Sequence, residues 1–291
     1  MKILIQNYSS YDSTEPMYFN ACLSKTGCVT SYLWNIDAIS TFDVIDKTTP
    51  DLLLCKYDTP ALNDIIKYLS GNKNIELLLN ITGINQNKLD LLEKIVEDKK
   101  ITCKAFISNY HPAMQDVKSK TAKIINLLPA ADIFLNSHKL PEYKLEAALI
   151  SNNKDLLNKR TSKYKTYHKM HFGIGSDDFF DMNINLNNLA SLYDKYEEFV
   201  LIGNSKMIFS QLFFDCTLRS KRTTLVSQDN DLTNTILGSL FRSEESVEDI
   251  SSIIKRQVKQ KHNCVYRTAK LMNDLGNKNA AKILEEASSK L

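Results

Sequence analysis

The sequence has none of the short fingerprints that mark the common nucleotide-binding and hydrolytic enzymes. The dinucleotide fingerprint G-x-G-x-x-G is missing, since the run Gly173-Ile174-Gly175-Ser176 lacks a third glycine. The P-loop pattern G-x-x-x-x-G-K-[ST] and the hydrolase and metalloprotease patterns G-x-S-x-G and H-E-x-x-H do not occur either. These absences argue against nicotinamide-dependent hydride transfer, P-loop hydrolysis and serine hydrolysis.

Long hydrophobic runs and paired cysteines are also missing. No apolar run approaches the roughly 18 residues that a membrane-spanning helix needs. The first residues, MKILIQNY, become polar too soon for a signal peptide. The six cysteines show no C-x-x-C spacing, and no Cys or His pair has the spacing of a zinc site. The sequence therefore predicts a cytoplasmic protein with reduced cysteines, no membrane span and no bound metal.

What the sequence does contain is an alternation of short apolar runs and amphipathic helical patterns along its 291 residues. This alternation is typical of α/β proteins with mostly parallel sheets. A polar stretch around Pro141 predicts a boundary between two domains, residues 1–138 and 144–291. The predicted strands are Lys2–Ile5, Val29–Leu33, Leu52–Cys55, Ile75–Leu79, Ile101–Ile107, Ile133–Leu135, Leu145–Ile150, His168–Ile174, Phe199–Ile202 and Thr223–Val226.

Three helical segments close the chain, at Val247–Gln260, Asn263–Leu275 and Lys278–Lys290. We expect two Rossmann-like parallel-sheet domains that face each other across a cleft, with these helices packed at the interdomain region. Ligands of open α/β sheets bind at the carboxyl ends of the strands, so the cleft is the expected binding site.

Two consecutive strand–turn–helix units, FVLIGNSKMIFSQLFFDC and RTTLVSQDNDLTNTIL, indicate the kind of ligand. Each strand feeds the N-terminus of a helix, whose backbone N–H groups and partial positive charge favour a phosphate. In the first unit, Asn204 ends the strand and Ser205 is the expected cap of a helix that carries Ser210, Gln211 and Asp215. The two units together suggest a nucleotide-diphosphate ligand.

A glycine-containing segment, FGIGSDDFFD, follows a predicted strand in the second half. Its residues Gly173, Gly175, Ser176 and Asp177 suit either a diphosphate cradle or contacts to sugar hydroxyls. The alternative is an ordinary tight turn rich in solvated aspartates.

The layout resembles that of the GT-B glycosyltransferases, especially the CgeB-like and phage-encoded branches. The resemblance rests on three segments, NLLPAADIFLNS, SQLFFDCTLRSKRTTLVSQDN and EDISSIIKRQVKQKHNCVYRTAKLM, the last with His262 and Arg267 in the matching places. It implies a GT-B fold and transfer of a sugar from a nucleotide donor such as a UDP-sugar, with no tightly bound cofactor and no metal.

The resemblance also implies roles for individual residues. Asp215 takes the place of the acidic residue that holds the donor ribose, and Ser210 and Gln211 lie near the nucleotide or diphosphate. Arg219 and Arg222 offset the charge of the leaving group, in place of a metal ion. The family usually has Glu where this chain has Asp215, and its following glycine is replaced here by Arg219-Ser220-Lys221.

The catalytic base is the weakest part of the resemblance. The phage enzymes carry a carboxylate after the fourth strand, whereas this chain has LLLNITGINQ, with Thr82 and no acid. Since an inverting mechanism needs a base near the acceptor hydroxyl, the candidates are Asp12, Thr82 and His111, with Glu15 as an alternative to Asp12. A retaining mechanism without a dedicated base stays open.

The acceptor is predicted from the resemblance and from a basic stretch. Lysines and arginines cluster between residues 154 and 169, where Lys159, Arg160, Lys163 and Lys165 are the candidate acceptor and phosphate contacts. The favoured acceptor is a hydroxymethylated pyrimidine, of the 5-hydroxymethylcytosine type, in duplex phage DNA, modified in the host cytoplasm. The alternatives are a surface glycan, lipid or protein as acceptor, and a non-catalytic interaction module with the same fold.

Overall fold

The computed structural model describes residues 1–8, 14–34, 36–71, 74–134, 145–151, 153, 155, 157, 167–171, 182–183, 186–240 and 250–291. The chain divides into two compact units. The first contains residues 1–8, Glu15–Leu128 and Val265–Lys290; the second contains Thr14 and Pro129–Cys264. We predicted a boundary at residues 138–144, with the whole C-terminal part in the second domain. In the structure, residues Val265–Lys290 belong instead to the first unit.

The first unit is built on a six-stranded parallel sheet with the order β2-β1-β3-β4-β5-β6. Its strands are β1 (Lys2–Gln6), β2 (Val29–Leu33), β3 (Leu52–Lys56), β4 (Glu76–Asn80), β5 (Cys103–Ser108) and β6 (Ile124–Asn126). The helices between them are α1 (Glu15–Leu23), α2 (Ala38–Thr48), α3 (Leu62–Leu69) and α4 (Gln86–Asp98), with a short 3₁₀ turn at Pro112–Met114.

Hydrophobic patterning explains the core of this unit. All five residues of β3 are buried, as expected for an inner strand of a parallel sheet with both faces covered. Helix α3 buries Leu62, Ile65, Ile66 and Leu69, the spacing that places side chains on one face of a helix. These side chains belong to one cluster that also takes in β4 and α4.

The sixth strand is not where the sequence analysis placed it. We predicted a strand at Ile133–Leu135, but β6 is formed by Ile124–Asn126, which pairs with β5. The Asp132 carboxylate accepts a hydrogen bond of 2.8 Å from the N–H of Phe134, which makes a local turn at the predicted strand. A short polar side chain of this kind competes with strand pairing.

The second unit is built on a five-stranded parallel sheet with the order β11-β10-β7-β8-β9. Its strands are β7 (Leu145–Ser151), β8 (Tyr167–His171), β9 (Met182–Asn183), β10 (Tyr196–Gly203) and β11 (Arg222–Ser227). Its helices are α5 (Leu186–Lys195), α6 (Ser205–Ile208), α7 (Gln211–Leu218), α8 (Asn230–Leu240) and α9 (Ile250–Lys261). Helices α10 (Cys264–Asp274) and α11 (Lys278–Ser288) complete the chain.

The crossover from β10 to β11 differs from the single helix that we predicted. It is divided into α6 and α7 by Phe209 and Ser210, both outside regular helix. Asn204, not Ser205, caps α6, since its side chain accepts a hydrogen bond from the N–H of Met207. The division gives the crossover a second helix N-terminus, with Ser210 at the capping position.

Candidate functional site

The carboxyl ends of β10 and β11 hold a compact group of hydroxyls around Asp229. The carboxylate of Asp229 accepts from the N–H of Ser205 at 2.9 Å and from the hydroxyl of Ser227 at 2.8 Å. The hydroxyl of Thr233, on α8, lies 2.9 Å from that of Ser205 and 2.6 Å from that of Ser227. The predicted donor residue Asn204 is exposed beside this group. Both predicted strand–turn–helix units therefore exist, and hydrogen bonds join their loops.

Ser210 is the most unusual residue of this region. It occupies the N-cap position of α7 with extended backbone angles, but its side chain makes no capping hydrogen bond. Only 6% of its surface is exposed, and no group among the described residues is a hydrogen-bond partner of its Oγ. The first turn of a helix presents N–H groups without intrahelical acceptors, and a buried polar atom without a partner is costly. A buried hydroxyl at a helix N-terminus is suited to receive an anionic ligand.

Gln211, the next residue, is held by contacts within the protein. Its side-chain oxygen accepts from the N–H of Thr14 at 3.0 Å, and its nitrogen donates to the Thr14 hydroxyl at 2.7 Å and to Asp215 at 3.2 Å. Its side chain therefore positions Thr14 and Asp215 close to the first turn of α7.

Asp215 is fully buried at the centre of a hydrogen-bond network. One carboxylate oxygen accepts from the N–H of Asp132 at 2.7 Å and lies 3.3 Å from the Arg219 guanidinium. The other accepts from the hydroxyl of Tyr193 at 2.8 Å and from Gln211. Both oxygens thus have protein donors, and the side chain is not exposed to a ribose. Its predicted ribose contact stays a prediction, while its observed contacts join α7 to α5 and to the segment around Asp132.

Burial dominates the electrostatics of this carboxyl. Desolvation raises the pKa of Asp215 to about 7, against the opposing effect of the Arg219 cation. The same burial, together with the Asp215 charge, raises the pKa of Tyr193 well above its usual value. The Tyr193 hydroxyl therefore stays protonated and donates to Asp215.

The two arginines predicted to offset leaving-group charge occupy different parts of the second unit. Arg219 follows the C-terminal end of α7, where its guanidinium contacts Asp215 and the Asp132 carbonyl and stacks 4.6 Å from the Tyr193 ring centroid. Arg222 is exposed and begins β11, so it lies at the amino edge of the sheet, opposite the edge where Asn204 lies. The predicted role of either arginine at the leaving group stays a prediction.

Other predicted site residues lie outside the described part of the chain. They are the catalytic candidate Asp12, the donor candidates Gly173, Gly175, Ser176 and Asp177, and the acceptor or phosphate candidates Lys159, Arg160, Lys163 and Lys165.

In the first unit, Thr82 and His111 both follow strands at the carboxyl edge of the sheet. The Thr82 hydroxyl accepts from the N–H of Asn109 at 2.9 Å, which links the loops after β4 and β5. Nδ1 of His111 accepts from the N–H of Ala113 at 3.1 Å, so the proton of the neutral ring lies on Nε2. Burial, and secondarily the charge of Lys270, lowers the pKa of His111, which favours this neutral ring. The catalytic role of either residue stays a prediction.

Glu15, the alternative candidate base, is buried in a network that the sequence analysis did not foresee. Its carboxylate forms an ion pair with Arg267 and accepts from Asn80 at 2.7 Å, Asn109 at 2.8 Å and Tyr8 at 2.7 Å. Arg267 also donates to Asn109 at 2.6 Å. These contacts assign Glu15 to anchoring the strand ends of the first unit.

Part of this network is indicated in the sequence. Arg267 was identified through the resemblance and Glu15 through its place in the first loop, but nothing in the local patterns connects two residues 252 positions apart. Of their partners, Asn80 ends β4 and Asn109 follows β5, and neither belongs to a motif.

Comparisons with solved structures place the fold. No protein-family model and no curated protein sequence matches the chain. The sucrose-phosphate synthase of Thermosynechococcus elongatus is similar in structure, with 11% identity and a TM-score of 0.53 over 100% of this chain and 96% of the other. The glycosyltransferase SnogD of Streptomyces nogalater is more distant, with 9% identity and a TM-score of 0.47 over 94% and 99% of the two chains.

The likeness to the synthase concerns the fold. Together with the two parallel sheets it confirms the predicted α/β architecture of two Rossmann-like units of the GT-B type. Among the described residues, no helix is long and apolar enough to cross a bilayer, and no group of three or more His, Cys, Asp and Glu side chains is placed to hold a metal ion.

Proposed function

We propose that the chain is a glycosyltransferase that uses a nucleotide sugar, best represented by a UDP-sugar, as donor. The observation that carries this proposal is the buried, unpartnered Oγ of Ser210 at the N-terminus of α7. In a Rossmann-like unit, a helix N-terminus near the carboxyl edge is where a phosphate group is bound. The resemblance of the segment that contains Ser210 to the donor-binding segment of GT-B enzymes supports the same assignment.

The chemistry of sugar transfer explains why such a site is useful. When the bond between the anomeric carbon and the donor diphosphate breaks, both electrons remain on the diphosphate, which gains negative charge. Fixed N–H and O–H donors that point at the developing charge stabilise the transition state without reorganisation. We propose that the Ser210 hydroxyl and the first N–H groups of α7 supply these donors, in a reaction that needs no metal ion.

A binding experiment tests the donor site directly. We expect Ser210→Ala to weaken the binding of UDP, measured by calorimetry, by at least about tenfold, because a hydrogen bond to a charged group contributes about 1.5–3 kcal/mol. The free energy of unfolding should stay the same or rise, because the substitution removes a buried polar atom that has no partner. This combination separates ligand binding from a structural role.

Ser289→Ala is the matched control, because the Ser289 hydroxyl is exposed near the C-terminus and donates to the Glu286 carbonyl. The control should bind UDP with the affinity of the unmodified protein. If Ser210→Ala binds UDP as tightly as the control does, the donor site is not at α7 and the proposal fails.

The identity of the molecule that accepts the sugar is a separate part of the proposal. Hydroxymethylated pyrimidines of phage DNA remain a proposal that is supported by the resemblance to phage enzymes and by the basic residues between positions 154 and 169. A panel of UDP- and GDP-sugars with plain and hydroxymethylated duplex DNA, followed by mass spectrometry of the nucleosides, tests it. Glycosylated nucleosides from modified DNA alone would support this acceptor; unchanged DNA with every donor would exclude it. Hydrolysis of a donor in the absence of DNA would still distinguish an enzyme from a non-catalytic module.

A further inference from the structure

The first unit exposes an aromatic side chain at the carboxyl edge of its sheet. Trp34 directly follows β2 and is the only tryptophan of the chain. It is 61% exposed, and the Tyr32 ring packs against it edge to face, with centroids 5.0 Å apart and planes at 88°. Since Tyr32 is itself half-buried, it holds one edge of the indole and leaves much of the remaining surface in solvent.

A polar group with unused hydrogen-bonding capacity belongs to the same edge. Asn7 follows β1, the parallel neighbour of β2, and its N–H donates to the Leu33 carbonyl at 2.8 Å. Its side-chain oxygen accepts from the Tyr32 hydroxyl at 3.0 Å, which fixes the amide beside the aromatic pair. Asn7 is 8% exposed, and within the described residues nothing accepts a hydrogen bond from its Nδ2. The amide is therefore an oriented donor.

The charged residues of the sequence interval around Trp34 disfavour a polyanionic ligand. No Lys or Arg stands between Lys25 and Lys47, whereas Asp37, Asp43 and Asp46 all fall in that interval. Hydrogen bonds from Ser40 lower the pKa of Asp37, which is therefore ionised at neutral pH. A phosphate backbone would be repelled here, so a neutral ligand with hydroxyl groups fits this edge better.

We propose that Trp34 and Asn7 form the binding site of a neutral saccharide, whose ring packs its C–H face on the indole while a hydroxyl accepts a hydrogen bond from Asn7 Nδ2. This inference goes beyond the proposed function, because it assigns a ligand to the first unit and not to the donor site of the second. It places the saccharide at the strand ends of β1 and β2, where open parallel sheets bind ligands.

The size of the feature favours a small ligand over a protein partner. A stable protein interface buries about 800 Å² on each side. Among the sequence neighbours of Trp34, Ser31, Tyr32, Leu33 and Ile36 are half-buried, whereas Asp37 and Ile39 are exposed. One flat ring with one oriented amide matches the dimensions of a sugar ring.

The lone tryptophan makes the site directly observable. Intrinsic fluorescence of the full-length protein is recorded while maltose, cellobiose and N,N′-diacetylchitobiose are added separately. We expect at least one of these disaccharides to cause a saturable blue shift of the emission, because a ring stacked on Trp34 removes it from water. A duplex oligonucleotide with 5-hydroxymethylcytosine, added instead, should leave the emission unchanged.

Calorimetry with the same disaccharide then tests whether a loss of affinity comes from lost stacking on the indole or from a disturbed fold. Trp34→Ala should weaken binding at least about tenfold and Trp34→Phe less, since the smaller ring keeps part of the stacking surface. The matched control is Tyr57→Phe, which changes a half-buried aromatic residue after β3 in the same unit and should bind the disaccharide normally. If Trp34→Ala does not fold, the test is whether Trp34→Phe binds the disaccharide more weakly than the control variant does.

Two results would overturn the inference. One is emission that no disaccharide alters, and the other is a shift caused by the oligonucleotide alone, which would assign the edge to nucleic acid. UDP binding is measured on the same samples. If UDP binds and requires Ser210 while no disaccharide binds, only the saccharide site fails. If UDP does not bind at all, the proposed function fails as well.

Discussion

Asp215 shows how a residue identified from sequence acquires a different significance from its surroundings. The pattern of an acid within the helix that follows a strand is correct, and α7 carries it. What the sequence does not reveal is that Tyr193, Gln211, Arg219 and the Asp132 N–H all converge on that carboxylate. Whether a side chain faces a ligand or other side chains depends on packing between distant segments, which local patterns do not encode.

The raised pKa of Asp215 predicts how stability depends on pH. The carboxyl has a pKa of about 7 in the folded protein against 3.8 as its reference value. Between these values the folded state binds more protons than the unfolded state, so this group's contribution to stability is complete below pH 4 and falls as the pH rises toward 7. In Asp215→Asn the contribution is absent. We therefore expect the free energy of unfolding of the natural protein to fall relative to this variant between pH 5 and pH 8, as measured by urea denaturation at each pH.

The prediction concerns the slope of the free energy of unfolding against pH. Its absolute value also changes in the variant, because the substitution alters the hydrogen bonds to Arg219 and Tyr193. Asp231→Asn, an exposed position in the first turn of α8, is the control and should keep the slope of the natural protein. A constant difference between Asp215→Asn and the natural protein over this pH range would show that the buried carboxyl stays ionised.

At the scale of single elements, helix ends carry strain that sequence patterns do not reveal. Thr49 follows α2 with a left-handed backbone conformation, φ 43° and ψ 65°, and its N–H closes the helix on the Ile45 carbonyl. A β-branched residue is rarely found in this region, which glycine adopts freely. We expect Thr49→Gly to raise the free energy of unfolding by about 0.5–1 kcal/mol, as measured in urea.

Lys100 provides the comparison for this prediction. It follows α4 with φ 53° but has an unbranched side chain at Cβ. Lys100→Gly should therefore give a smaller gain than Thr49→Gly. An equal or larger gain would mean that the β-branch contributes no strain at position 49.

Elements with long apolar runs could be predicted, and short or interrupted ones could not. The strands of the first unit from β1 to β5 lie where the sequence placed them, because each is an apolar segment bounded by polar turns. The predicted position of the sixth strand was wrong because β6 has only three residues. The nearby apolar stretch that we predicted as a strand forms a turn at Asp132 instead. The break between α6 and α7 was missed since Phe209 and Ser210 carry no glycine or proline signal. That break creates the second helix N-terminus, which is the central feature of the candidate site.

At the scale of the whole molecule, each proposed ligand belongs to a different unit. Ser210 lies in the second unit, and Trp34 and Asn7 lie in the first. We expect UDP alone to slow hydrogen exchange of the backbone N–H groups in the first turn of α7, because bound phosphate accepts hydrogen bonds from them. A binding disaccharide alone should slow exchange after β1 and β2. Protection of the first unit by UDP, with α7 unchanged, would contradict this assignment of ligands to units.

The sequence analysis identified two sheets but did not foresee which residues complete each unit. Residues Val265–Lys290 belong with the first unit although some 140 residues of the second unit intervene in the chain. Within that segment Arg267 bonds to the Leu128 carbonyl, Asn109 and Glu15. Hydrophobic periodicity and helix caps depend on residues that are close in sequence. They therefore do not indicate that the chain returns to the first unit after the second.

The ion pair between Glu15 and Arg267 has a consequence for biosynthesis. A ribosome adds Arg267 to the chain 252 residues after Glu15, so the nascent first unit holds an acid at its strand ends without the cation that neutralises it while the intervening residues are synthesised. A buried charge whose partner is missing is strongly destabilising. The first unit therefore gains its final stability only after the residues Pro129–Cys264 of the second unit have been synthesised.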